Sequence, residues 1–457
     1  MSPVAPGQRM LAEFAAGLKF DALPEKVRGL MPILMIDLFR AGAAGRRMPW
    51  VATGEPVLMK LSGQPTSSIL FGEGKADPVR AAYINGLIAG SLDWDDSHIA
   101  AIIHPGVVIW PAALSVAEMT KASGRDLLEA VTAGYECALR IGVSMQPDHS
   151  TRGFQGTPTC GVFGAAIASA RLLGLDATGI RNAIGIAASY SGGIAQFFVS
   201  GSDVKRLHAG KAAAQGVECA LLAQAGLSGP PDALEGSQGF CGAASETFDP
   251  EALVKDLGKH WWIDSISLKV HAGTVRLQAA IEAAEKLARE GVTPDRIERV
   301  EIGVPKLLMG KLTWNDPVDH QQCQMSAPYA AAMAFHYAPK TQGAMILGID
   351  EFGVAAKDPS IRDLSRRTEC VFDEEIDSKM TREYVPARVV AFLKDGSKAE
   401  AKVIQPRGCP DNPITEDEVC ERYRLMAAPY RKPAQIDAWL KMARGVETLD
   451  DAGKLMR

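Results

Sequence analysis

The chain has 457 residues, 47% hydrophobic and 23% charged, with 49 Lys and Arg against 54 Asp and Glu for a formal net charge of −5. That length exceeds one typical core and predicts two or three domains. The acidic balance excludes a global attraction for nucleic acid or an anionic membrane, while a local positive pocket remains open to an anionic small molecule. The eight cysteines are scattered without a C-x-x-C pair, which argues against a disulfide framework, a zinc ribbon or a cysteine-held iron–sulfur cluster. No apolar run reaches about 18 residues, and the N-terminal stretch lacks an apolar core behind a basic start. The expectation is a cytoplasmic protein.

Residues 1–45 predict two amphipathic helices, the second in "LPEKVRGLMPILMIDLFRAGAAG" with its glycine-rich stop. "DPVRAAYINGLIAGSLDWDD" enters another helix through Asp77-Pro78. Further helices follow, split at the "SG" break of residues 123–124, and many carry Ala and Gly three and four apart. Small residues on helix faces let axes approach closely, which predicts a tightly packed helical domain over 1–266. Almost no strand period appears before about residue 265. The texture then changes: "GTVRLQAAIEAAEKLAREG" is a helix, "DRIERVEIGVP" alternates like a strand, and "PARVVAFLKDGSKAEAKVIQP" is two alternating runs joined at Asp395-Gly396. These predict a smaller α+β lid domain over 267–405. Helical patterning returns in 406–457, as expected of helices that rejoin the first domain. The expected fold class is mainly α, a helical domain from both chain ends with an inserted α+β lid.

Four clusters hold chemistry-bearing side chains. "SLDWDDSHIAAIIHPG" (91–106) brings Asp93, Asp95, Asp96, Ser97, His98 and His104. "GFQGTPT" (153–159) is a polar break before a helix, "SGSDVKRLHAGKAA" places Lys205, Arg206, His208 and Lys211 at a helix start, and "SISLKVHAG" sets Lys269 and His271 at the domain join. A metal site of the aspartate-rich kind needs a carboxylate four residues after Asp95, where Ile99 stands, and a second acidic motif is missing. No metal and no cofactor is expected. Acid/base chemistry needs a base at carbon and cations at the oxygens of a developing enediolate. His104 and a lysine supply base or acid, Lys205 and Arg206 a carboxylate clamp, and Asp93 or Asp96 an acceptor that fixes the imidazole tautomer. The plainer readings are a helix cap at Asp93 and Asp96, an exposed turn at His104-Pro105-Gly106, a solvated helix face at 205–211 and an ordinary strand-end lysine at 269.

At these same clusters, "LDWDDSH…HPG", "VKRLHAGKAAAQGV", "LKVHAG" and "MSAPYAAAMAF" occur in order, and the sequence resembles the MmgE/PrpD family along nearly its whole length. The family includes 2-methylcitrate dehydratases, cis-aconitate decarboxylases and iminodisuccinate epimerases. The resemblance implies a metal-free active site between helical domain and lid, and a homodimer. Position by position it implies Asp93, Ser97, His104, Lys205, Lys269 and Tyr329 as site residues. Gln155 stands where the decarboxylases have a second histidine, and glutamine hydrogen-bonds without exchanging protons. The expected activity is lysis or isomerisation of a small di- or tricarboxylate by proton abstraction next to a carboxylate, above all a 2-methylcitrate-dehydratase-like loss of water. The expected catalytic residues are His104, Lys269 and Asp93; Ser97, Gln155, Lys205, Arg206, His208, His271 and Tyr329 are expected to bind substrate. Epimerisation, cis-aconitate-type decarboxylation and a non-catalytic helical binding protein are the alternatives.

Overall fold

Close helix crossings dictate the larger part of the molecule. The computed structural model describes residues 7–457 apart from 318, 344 and 356. The chain runs through α1 (Gly7–Gly17), α2 (Glu25–Gly45), α3 (Pro49–Lys60), α4 (Pro78–Ala89), α5 (Gly106–Thr120), α6 (Gly124–Met145), α7 (Gly156–Leu172), α8 (Ala177–Tyr190) and α9 (Val204–Gln224). Asp77 starts α4 by accepting from the Val79 and Arg80 N–H groups, with Pro78 in the first turn. Ser123 and Asp126 form a reciprocal capping box on α6. Helix α9 packs against α4 and α7, and α7 against α5 and α6. The small residues make this possible: a Cβ on Gly210 would stand 2.2 Å from the Tyr83 carbonyl oxygen. Substituting it would force α4 and α9 apart.

The smaller part carries a four-stranded sheet of β1 (Ile297–Val304), β2 (Thr368–Phe372), β3 (Ala387–Leu393) and β4 (Lys398–Val403) in the order β2–β1–β3–β4. Strands β1 and β2 are parallel; β1–β3 and β3–β4 are antiparallel. The β3–β4 hairpin turns through Asp395-Gly396, where Gly396 takes φ +83°, a conformation glycine adopts without steric cost. Helices α10 (Gln278–Arg289) and α11 (Ala327–Tyr337) pack together, and α10 lies on β3 and β4. Helix α12 (Pro359–Arg366) packs on α11. The strand β2 and the two-residue pairings Ser67–Ser68 with Lys75–Ala76 and Ser97–His98 with Ile266–Ser267 are additions to the sequence expectation. Pairs this short are fixed by tertiary contact and leave no periodic signal.

The final helices, α13 (Glu416–Ala427) and α14 (Pro433–Arg444), pack against α2, and residues 452–456 lie on α5. The fold is mainly α, with a small sheet region. Among the described residues no helix is long and apolar enough to cross a membrane.

Candidate active site

The chain leaves α4 through a short turn at Gly90–Leu92 and enters the left-handed region at Asp93, φ +51°. Aspartate tolerates that conformation better than most residues. The kink buries the Asp93 carboxylate to 4% exposure between two ammonium groups. Lys205, in the first turn of α9, places Nζ 2.7 Å from Oδ2. Lys269 places Nζ 2.9 Å from Oδ1 and 2.8 Å from the Asp93 carbonyl oxygen. Burial alone raises the Asp93 pKa, but Lys205, Lys269 and His104 outweigh it and hold the carboxyl far below its usual range. Burial pulls Lys205 below the usual lysine value, and the nearby Lys269 charge adds to this, against the opposing pull of Asp93.

His104 sits beside this pair with its ring 20% exposed. Around Nδ1 lie the Asp96 carbonyl oxygen at 3.0 Å, Ser97 Oγ at 2.9 Å and Asp95 Oδ2 at 3.2 Å. Lys269 Nζ lies 3.4 Å from Nδ1 as well, and Asp93 Oδ1 lies 3.4 Å from Nε2, so each ring nitrogen has a carboxylate beside it to stabilise an imidazolium. The His104 backbone N–H donates to Thr157 Oγ1. Asp96 plays a different part. Its carboxyl accepts from the Gly106 N–H at 2.9 Å and the Tyr135 hydroxyl at 2.8 Å, anchoring the start of α5. Burial and the Asp95 charge push it up to about 7. The capping reading therefore holds in substance for Asp96 and fails for Asp93. His104 is not an exposed turn residue, with its side chain 20% exposed, and the face of 205–211 is solvated only in part: Lys205 and Arg206 are largely buried while Leu207 is exposed.

His98 is a buried neutral histidine. Burial drives its pKa down to about 3, Nδ1 accepts from the Ala101 N–H at 3.0 Å, and the ring meets Trp262 edge-on. It closes the loop that presents His104.

A cavity of about 520 Å³ opens in front of Asp93, His104 and Lys205, between the helices and the sheet region. Gln155 lines it at the start of α7. The His208 ring, pushed down to about 4 chiefly by burial, lies with Nδ1 3.2 Å from Gln155 Oε1. As the neutral ring it donates there and leaves the Gln155 amide hydrogens for the cleft. His208 is thus a support behind Gln155.

Other expected residues point elsewhere. Lys269 is fully buried behind Asp93 and does not line the cavity, so the partner-acid role expected of it lacks access to substrate. Arg206 turns away from Lys205, stacks on Trp50 with its guanidinium carbon 3.7 Å from the ring centroid, and bonds Gln321. The expected Lys205–Arg206 clamp is not formed, because neighbours on a helix point about 100° apart. His271 accepts the Leu347 N–H through Nδ1. Tyr329 is fully buried in α11, with its ring near Phe352. Neither lines the cavity. Ser97 lines it but places its hydroxyl on His104.

Three further residues stand at the site without a sequence motif that assigns them a role. Asp95 contacts His104 and lies 3.8 Å from Lys269. Arg276 lines the cavity without a carboxylate partner among the described residues, and burial lowers its pKa with no charge to offset it. Ile102 lines the cavity at φ +52°. Behind the site, Arg40 of α2 pairs with Asp37 and bonds the Trp94 carbonyl, while Arg422 of α13 donates to the Lys269 carbonyl at 3.3 Å. Both ends of the chain thus brace the Asp93 loop.

Asp93, Asp95 and His104 offer ligand atoms within 4.8 Å of one another. The Lys205 and Lys269 ammoniums already neutralise Asp93 at hydrogen-bond distance, so a divalent cation would meet two positive charges. The donor set fits an anionic ligand beside Lys205 better than a metal ion.

The frame is mainly helical, with a buried acid/base cluster facing a cleft. The MmgE/PrpD N-terminal domain matches residues 9–253 and the MmgE/PrpD C-terminal domain matches residues 271–448, and the chain belongs to this family. It is 29% identical to the cis-aconitate decarboxylase-like protein oryM of Aspergillus oryzae, over 98% of this chain and 95% of that protein. It is 25% identical to a cis-aconitate decarboxylase of Aspergillus terreus, over 98% and 94%, and 26% identical to that of Homo sapiens, over 96% and 91%. These likenesses support a lyase.

Proposed function

We propose that this chain is a lyase for a small di- or tricarboxylate, with His104 as the group that moves the proton. The observation that carries the reading is the His104 ring, held between the Asp93 and Asp95 carboxylates at the edge of a cleft lined by Lys205. His104 Nε2 takes the proton from the carbon next to a carboxylate, and Lys205 faces the enediolate oxygens that gain charge. Asp93 stabilises the imidazolium. In the leading reaction, loss of water, the carbon–oxygen bond breaks and His104 returns its proton to the departing oxygen.

A second reading is cis-aconitate-type decarboxylation, which the names of the relatives favour. There a carbon–carbon bond breaks, carbon dioxide leaves, and a proton must reach the carbanion. Gln155 cannot supply it, so His104 would have to. Epimerisation has less support: it calls for proton-transfer groups on two faces of one carbon, and His104, Asp93 and Lys205 form a single cluster. The test gives the enzyme 2-methylcitrate and cis-aconitate in separate reactions, followed by proton NMR in deuterated water. Loss of water from the hydroxy acid supports dehydration, and carbon dioxide release from cis-aconitate supports the second reading. Deuterium uptake without net loss of either supports epimerisation, and silence in every arm refutes the assignment.

A homodimer in the cytoplasm, expected from the resemblance and the composition, completes the proposal. Sedimentation velocity at micromolar concentration checks the assembly.

A further inference from the structure

The cavity exceeds what the proposed chemistry needs. At ≈520 Å³ it falls in the range of clefts that take drug-sized ligands. The surplus is walled by hydrocarbon: Ile102, Phe154, Phe198, Val199, Leu307 and Met325 line it. Ligand pockets generally pair apolar walls, which meet the apolar part of the ligand, with a few placed polar groups.

Two details show that the wall is built. Ile102 is a β-branched residue at φ +52°, a conformation costing on the order of 1–3 kcal/mol that persists only where surroundings impose it. Its carbonyl is seated over α7, where a Cβ on Gly156 would stand 2.4 Å from it. The strained turn therefore keeps an apolar side chain at the cleft two residues before His104. Arg276, meanwhile, brings a guanidinium to the same cavity with no carboxylate of the described residues beside it. An unpaired arginine in an apolar cleft is matched by a ligand carboxylate.

We propose that the substrate is a polycarboxylate bearing a hydrocarbon arm, with the arm on the wall around Ile102, Phe198 and Val199 and a carboxylate on Arg276. This rests on the carboxylate-lyase reading and adds to it the shape of the substrate. The arm buries apolar surface, so specificity grows with chain length until the wall is covered.

The test is calorimetric titration of the full-length enzyme with succinate and its 2-methyl, 2-propyl and 2-pentyl derivatives, which lack a leaving group. Each methylene buried is expected to tighten binding by about fourfold. Phe198→Ser and Val199→Ser are expected to flatten that dependence, and Arg276→Gln to weaken every member while leaving the chain-length dependence in place. Succinate that binds with no gain along the series overturns the hydrocarbon arm and leaves the lyase reading standing. No binding by any member overturns both. Arg276→Gln binding like wild type overturns the arginine's part.

Discussion

Replacing Asp93 by asparagine removes one charge and little else. Asparagine tolerates the left-handed φ of +51°, and it matches aspartate in size, so the turn after α4 keeps its shape. What changes is electrostatic. Lys205 and Lys269 lose the carboxylate lying 2.7 and 2.9 Å from them, and the two buried ammoniums are left with only Asp95, 3.8 Å from Lys269, as a counter-charge. Removing one partner of a buried ion pair costs about 3–5 kcal/mol; the lysines relieve part of this by releasing a proton. A loss of at least about 2 kcal/mol in urea unfolding at pH 7 is expected, together with a fall in turnover of roughly 10²-fold or more as the imidazolium loses its partner. The pH dependence has a definite sign. The folded Asp93 pKa is depressed, so its contribution is present above the unfolded value of about 3.9 and fades as pH falls below it. Asp93→Asn removes that slope. Stability within about 0.5 kcal/mol of wild type, with turnover intact, would refute the reasoning.

His104→Asn should fold normally and lose about 10²–10⁴ in turnover, read from initial rates and thermal unfolding side by side. Asp96 has a folded pKa raised to about 7. The folded state then holds the extra proton, and wild-type stability should decline between about pH 4 and 7, by up to roughly 4 kcal/mol in all. Asp96→Asn should flatten that decline in urea titrations at pH 5 and 8. Gly106→Ala should destabilise the protein and cut activity, because the new Cβ would lie 2.6 Å from the Tyr135 hydroxyl and 2.7 Å from Asp96; retained stability would show that the α5 start can shift. Dialysis against a chelator should leave turnover unchanged, since the lysines already neutralise Asp93; activity lost to the chelator and restored by magnesium would contradict this.

The helices, the β3–β4 hairpin and the gathering of Asp93, His104 and Lys205 were legible in the sequence, because each rests on local periodicity, turn chemistry or clustered polar residues. Directions of side chains were not. Arg206 follows Lys205 by one helical step, and that step decides which faces the cleft. His271 lies two residues after Lys269, where alternation along a strand would give both the same face. The strand pairing ends at Ser267, however, and the chain bends at 270–273, so the alternation is lost. Lys269 looked like a catalytic acid because its type and position suited one; only the packing shows it seated behind Asp93. Arg276 belongs to no motif, and its interest comes from the partner it lacks. Strand β2 gave no signal because five residues flanked by helix on both sides carry too few alternations to register.

The central claim is that His104 moves a proton at the carbon next to a substrate carboxylate. Proton NMR in deuterated water tests it most directly, with the turned-over polycarboxylate followed in parallel for wild type and His104→Asn. Product formation by wild type is expected, with a rate at least about 100-fold lower for the folded variant. Equal rates for the two proteins would contradict it.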